Sequence, residues 1–171
     1  MDLANHENIR FLADNTVGRL ARWMRLLGYD VEISDRSARE LAENRRQFQS
    51  GRILLGRCRG RSGAPAPAPH EHFVHVESEK LGEQIRQITE QFPLDFSKTF
   101  LTRCPHCNAP LSEPAALEAL PEEMRDKVPP RVRKWRDRYR CCRLCEKVYW
   151  EGTHAQRMRE YLKANLPEGS I

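Results

Sequence analysis

A parallel α/β sheet domain followed by a small cysteine-held module is the fold class that this sequence predicts. Three observations carry the prediction. Short apolar runs alternate with helix-period patterns through the first half of the chain, in the order β-α-β-α-β. Two C-x-x-C pairs, Cys104/Cys107 and Cys142/Cys145, follow in the second half. Proline and glycine punctuate the chain where one pattern gives way to the next.

Ile9-Arg10-Phe11-Leu12-Ala13 is an apolar run ending at Asp14, and it reads as a strand buried on both faces. Asn15 or Thr16 can cap the helix that follows. Val17, Leu20, Ala21, Met24 and Leu27 recur at the spacing of one helical face, with Arg19, Arg22 and Arg25 on other faces. Gly28 suits the residue just past the helix end. Tyr29-Asp30-Val31-Glu32-Ile33 is a second strand. Ser37-Ala38-Arg39-Glu40 has capping-box spacing, so a helix is expected from Ser37 to about Gln49, stopped by Gly51. Arg52-Ile53-Leu54-Leu55 is a third strand. Residues 60–70 form a Pro/Ala/Gly loop with no role in a core. His70, His72 and His75 fit neither one helical face nor a knuckle, and read as surface or strand histidines. Phe73-Val74-His75-Val76 is a fourth strand. Ser78 caps a helix whose buried stripe is Leu81, Ile85, Ile88 and Phe92, with Pro93 after it.

In the second half, a C-x-x-C turn lets two thiolates converge on one ion, and Zn²⁺ takes four ligands in a tetrahedron. Cys104, Cys107, Cys142 and Cys145 therefore make one closed, structural site. The spacing to Cys145 favours Cys142 over its neighbour Cys141. A disulfide pair or a redox C-x-x-C is the competing reading, and two such pairs in one reducing-type chain argue against both. The 34 residues between the knuckles exceed the usual ribbon spacing, so the site carries an insertion. Within it a short helix is expected from Ala115 to Leu120, ended by Pro121, and Pro129-Pro130 breaks the chain again. Lys147-Val148-Tyr149-Trp150 is the return strand, and a last helix runs from about Ala155 to Leu162. The domain boundaries follow: a sheet domain over 8–98, a zinc ribbon with insertion over 99–152, and a helix and tail over 153–171.

The chain has 171 residues, 39% of them hydrophobic and 31% charged, which supports a modest core under a well-solvated surface. No apolar run approaches a membrane span, and the first fifteen residues lack a secretory h-region. With most of its six cysteines assigned to metal, the chain is expected in the cytoplasm. The net charge of +5 suits a polyanionic partner. Arginine outnumbers lysine in three stretches, 19–25, 45–61 and 131–143, and its forked donors suit phosphate. In the last of these, Arg131, Arg133, Lys134 and Arg136 surround Trp135, with Tyr139 close behind. Two readings stay open for it: a grip on phosphates and bases, or a solvated face whose aromatics pack on the ribbon.

Open parallel sheets bind ligands beyond the carboxyl ends of their strands. Asp14 stands there after the first strand, Asp35 after the second, and Glu40 in the first turn of the next helix. Carboxylates converging at strand ends bind Mg²⁺ or Mn²⁺, the arrangement of a metal-dependent nuclease. Asp35 and Glu40 also read as caps or solvated charges, the plainer reading for Asp35. An acid directly after a buried strand, as Asp14 is, needs a partner.

These residues resemble a known family. Phe11-Leu12-Ala13-Asp14 and Gly18-Arg19-Leu20-Ala21-Arg22-Trp23-Met24-Arg25-Leu26-Leu27-Gly28-Tyr29-Asp30 look like the opening of the Mut-7 C-terminal RNase domain family. Gly51-Arg52-Ile53-Leu54-Leu55 resembles its third strand, and Glu83-Gln84 the start of the last helix of its sheet domain. Arg103-Cys104-Pro105-His106-Cys107, Val128-Pro129-Pro130-Arg131-Val132 and Cys142-Arg143-Leu144-Cys145 resemble its ribbon. Val148-Tyr149-Trp150-Glu151-Gly152-Thr153-His154 resembles its ending. The resemblance implies a PIN-like fold with a zinc ribbon on its C-terminal side, and a metal-dependent ribonuclease whose first acid is Asp14. Where the family reads Thr-Arg-Asp after its third strand, this chain reads Gly56-Arg57-Cys58. The acid expected near the second helix aligns with Ala38, leaving Glu40 or Asp35 as its substitute.

Two functions follow as expectations. The first is hydrolysis of RNA phosphodiesters by Asp14, Asp35 and Glu40 around Mg²⁺ or Mn²⁺, with Arg19, Arg22 or Arg57 steadying the phosphate. The second is a catalytically impaired module that binds RNA, or an RNA-associated protein, through the ribbon and residues 131–143.

Overall fold

Phe11 and Ala13 are fully buried, and the strand that carries them, β1 (Arg10–Ala13), runs through the middle of the protein. The structure, a computed structural model, describes residues 9–36, 51–57, 73–92 and 96–166. β1 pairs in parallel with β2 (Asp30–Ile33) on one side and β3 (Arg52–Gly56) on the other, and β3 pairs in parallel with β4 (Phe73–His75). The order is β2-β1-β3-β4. The chain thus leaves β1 to one side and returns to the other, so its direction of winding reverses between β1 and β3.

α1 (Gly18–Leu27) buries Leu20, Ala21, Met24 and Leu27, the expected stripe. Its entry differs from expectation. Asp14, not Asn15 or Thr16, is the cap: its carboxylate accepts from the Thr16 backbone N–H at 2.9 Å and opens a short 3-10 turn over Asn15–Val17. Gly28 ends α1 at φ 104°, and a Cβ there would sit 2.7 Å from the Thr99 carbonyl oxygen, so both conformation and space require glycine. α2 (Leu81–Gln91) buries Leu81, Ile85 and Ile88, while Phe92 is half-buried. Ser78 sits two residues before the helix cap Lys80, accepting from its N–H and donating to Glu83. The expected helix at 37–49, the loop at 60–70, Glu40, Cys58, His70 and His72 lie outside the described residues.

After α3 (Phe96–Thr99) the chain enters the ribbon, whose strands β5 (Tyr139–Cys141) and β6 (Val148–Trp150) pair antiparallel. The insertion corrects two expectations. Ala115 is not helical but bridges to Tyr139, and only Leu117–Ala119 make a 3-10 turn. Pro130 does not merely break the chain: it starts α5 (Pro130–Arg133), just after α4 (Glu122–Arg125), because a missing N–H costs nothing in a first helical turn. α6 (Thr153–Asn165) is longer than expected and packs on α2, with Leu162 buried and Tyr161 against Trp23.

The ribbon is fastened to the open edge of β2. Asn108 accepts from the Val31 N–H at 3.0 Å and donates to Asp30 at 2.8 Å. Arg25 falls on a face of α1 other than the expected stripe, yet it is 5% exposed. Its Nε donates to the Val31 carbonyl at 2.8 Å and its Nη1 to the His106 carbonyl at 2.7 Å. One side chain therefore joins helix, edge strand and first knuckle, and the backbone groups of Val31 are satisfied without another strand. Burial lowers the Arg25 pKa, while the Cys104 and Cys107 thiols act in the opposite sense. Arg25→Met keeps the apolar stem and removes these bonds, leaving buried carbonyls unpaired. It is expected to cost about 2–4 kcal/mol in chemical denaturation.

Asp30 lies at the same junction, held by Arg52 at 2.8 Å, Arg103 at 3.4 Å and Asn108. Burial opposes its ionisation, but hydrogen bonds from Arg52 and Asn108 outweigh it and hold the pKa below the usual value. A depressed carboxylate pKa adds stability above the unfolded value and loses it as pH falls through the folded one. The difference in melting temperature between the wild type and Asp30→Asn is therefore expected to be largest near neutrality and to close below about pH 4. A gap that stays constant over this range contradicts the assignment.

Candidate functional site

Two places carry chemistry, and the first is the cysteine cluster. Each knuckle ends on a left-handed residue just after its second cysteine, Asn108 at φ 70° and Glu146 at φ 55°. These turns bring Cys104 Sγ within 3.5 Å of Cys145 Sγ, and Cys107 Sγ within 3.3 Å of Cys142 Sγ. All four ligand atoms lie within 4.8 Å of one another. Zinc–sulfur bonds of about 2.3 Å set tetrahedral sulfurs ~3.8 Å apart, whereas a disulfide needs ~2.0 Å. The thiols are free and fit a tetrahedral metal such as zinc. Cys142, not Cys141, joins the group that could hold the ion, as the spacing required. Cys141 instead points at Ser112, whose hydroxyl oxygen lies 3.5 Å from its sulfur.

Cys104 and Cys142 are fully buried, and Cys107 and Cys145 half-buried. A site this closed, with four protein ligands, offers no position for substrate. The Tyr149 hydroxyl lies 3.0 Å from Cys104 Sγ. Burial disfavours the Cys104 thiolate, but hydrogen bonding from Tyr149 and from the Cys107 and His106 backbone prevails, bringing its pKa to about 7. Tyr149 thus supports a ligand from outside the metal shell.

The second place is the carboxyl end of the sheet. Asp14 is 2% exposed, and its N–H donates to the Leu55 carbonyl at 2.9 Å, so it lies between β1 and β3 where the winding reverses. Its Oδ1 also accepts from the Thr16 hydroxyl at 2.5 Å, and that hydroxyl oxygen accepts in turn from the Arg57 N–H at 3.2 Å. Thr16 links the ends of β1 and β3, a role that sequence reading missed. A hydroxyl two residues after a strand-terminal acid was the available signal.

Asp35 is exposed and stands at the same end of the sheet, its carbonyl accepting from the Asn15 side chain at 3.2 Å. Arg19 and Arg22 are exposed on the first turns of α1. Arg57 is half-buried and paired with Glu79 at 2.9 Å. Among the described residues, the four cysteines are the one group of three or more His, Cys, Asp or Glu side chains close enough to share an ion.

The basic stretch 131–143 divides. Tyr139 is buried on the ribbon, while Trp135 is 77% exposed. Arg131 and Lys134 are exposed and Arg136 half-buried. Arg133 is engaged within the chain, donating to the Val128 carbonyl at 2.8 Å and the Arg125 carbonyl at 2.7 Å. No described helix is long and apolar enough to cross a membrane.

A family model described as "Mut7-C RNAse domain" matches residues 9–162, spanning the sheet, the ribbon and most of α6. No curated protein and no solved structure matches the chain.

Proposed function

The chain belongs to the Mut7-C RNAse domain family, and from that premise we propose that it is a metal-dependent ribonuclease of the PIN-like type, hydrolysing RNA phosphodiesters at the carboxyl end of β1. The observation that carries this reading is Asp14, a carboxylate buried at the reversal of winding in a parallel sheet, where such sheets bind ligands. Mg²⁺ is commonly held by only one or two carboxylates, keeping several waters. Asp14, with Asp35 and Glu40, supplies oxygen donors of that kind. A divalent ion there lowers the pKa of a bound water and offsets phosphate charge.

The chain's own residues prepare the place. Thr16 fixes the Asp14 carboxylate from two donors, its N–H and its hydroxyl. Asp14 is buried at the strand end, and a carboxylate there is the kind of oxygen donor that a divalent ion takes. Arg19 and Arg22 stand ready for phosphate oxygens on α1, which follows the 3-10 turn that Asp14 caps. The four-cysteine site, filled by zinc, holds the ribbon together and takes no part in bond cleavage.

One observation favours a second reading, a module that binds RNA without cutting it. β3 ends in Gly56-Arg57, and Arg57 is engaged by Glu79, so this strand end brings a cation rather than an acid. Cleavage of labelled single-stranded and structured RNA, with Mn²⁺ or Mg²⁺ and with chelator, separates the two. Cutting that requires the added metal supports the nuclease. RNA bound and left intact supports the binding module.

A further inference from the structure

We propose that the groove between the ribbon and α6 holds single-stranded RNA, its phosphates on a row of arginines and a base on Trp135. This deepens the RNA reading above and rests on it. The groove encloses about 490 Å³ and is lined by cations from three separate elements: Lys98 from α3, Arg136, Arg138 and Arg140 at β5, and Arg159 from α6. Two acids, Asp137 and Glu151, share the lining. Glu151 is engaged by Arg159 at 2.5 Å, and the same guanidinium lies 4.1 Å above the Phe100 ring. That pair is therefore part of the wall. Arg140 is likewise anchored, donating to the Ser112 carbonyl at 2.9 Å.

Arg136 and Arg138 are different. The side-chain contact of Arg136 is a 3.4 Å bond to the carbonyl of the preceding residue, and Arg138 is exposed. They stand two residues apart in a groove with an excess of positive charge, arranged to follow a phosphate backbone. Immediately before Arg136, Trp135 leaves 77% of its surface in water, the most exposed large hydrophobic side chain among the described residues. Trp135 does not line the groove but precedes its lining residue Arg136 in the chain, and a solvated indole there gains by stacking on an unpaired base. A duplex keeps its base faces covered and cannot offer one. The groove shares no residue with the Asp14 end of the sheet, so binding here is separable from cleavage there.

The test is anisotropy of labelled oligouridine across a salt series, with Asp14→Asn as the common background and no Mg²⁺ or Mn²⁺ added. Arg136→Gln with Arg138→Gln is expected to weaken binding about ten-fold. Two lost phosphate contacts should shrink the salt slope by about 1.4. Trp135→Ala is expected to weaken binding about five-fold with the slope unchanged. Zinc content and melting curves of the variants should match the background. Affinity unchanged in both variants overturns the proposal, as does equal affinity for a duplex, or an absence of salt-dependent binding. With Asp14 restored and Mn²⁺ added, metal-dependent cleavage that survives the groove substitutions with unchanged affinity overturns the groove and leaves the nuclease. RNA bound through the groove and never cut does the reverse.

Discussion

Cys142→Ser is expected to release the zinc and unfold the second half of the protein. Cys142 and Cys104 are fully buried within the same apolar cluster as Phe11, Leu20 and Leu27, so the metal site continues the core of the sheet domain. The insertion has its own cluster, Leu120, Met124, Val128, Tyr139 and Cys141. A cluster of that size cannot offset the chain entropy of its segment. Structural zinc supplies apparent binding free energies of about 10–16 kcal/mol in small domains. Losing one ligand should therefore cost more than the ~5 kcal/mol that a marginal domain possesses. Metal analysis should find no stoichiometric zinc in the variant, and limited proteolysis should cut between residues 108 and 152. A zinc-free variant with the wild-type melting curve contradicts this assignment.

Asp14→Asn is expected to reduce cleavage by about 100-fold or more while leaving the fold intact. Asparagine has nearly the same shape and caps as well as aspartate, so it can still accept from the Thr16 N–H. What it loses is the charge that attracts a divalent ion. Asp14→Ala removes the cap as well and should cost about 1 kcal/mol of stability in addition. Comparing cleavage rates and melting curves of the two variants separates chemistry from folding. An unaltered rate in Asp14→Asn would move the active centre elsewhere.

The sheet was legible because its signals are local. Phe11 and Ala13 read as a buried strand, Val17 to Leu27 as one helical face, and Gly28 as a stop, and each is so in the structure. The four-cysteine cluster was legible because C-x-x-C spacing is itself a geometric statement, and the cluster contains Cys142 and not Cys141. The fastening of the ribbon was not legible. Arg25 looks like any helix-surface arginine, and only the position of the first knuckle against β2 makes it a buried tether. Asn108 offered a better clue, since asparagine tolerates the left-handed turn that follows the knuckle. The insertion misled through Ala115 to Leu120, a run with helical composition. There the ribbon edge at Tyr139 captured Ala115 into a bridge, a long-range pairing that local propensity does not record. The basic stretch 131–143 could not be divided from sequence. The Arg133 donors serve the carbonyls ending the α4 turn, while neighbouring Lys134 and Trp135 face water.

The most direct measurement is binding of Mn²⁺ to the zinc-loaded protein, followed by electron paramagnetic resonance, in the wild type and in Asp14→Asn. The account predicts a Mn²⁺ site in the wild type, distinct from the zinc, whose affinity falls about ten-fold or more when Asp14 loses its charge. Equal Mn²⁺ binding by the two proteins, or none by the wild type, contradicts it.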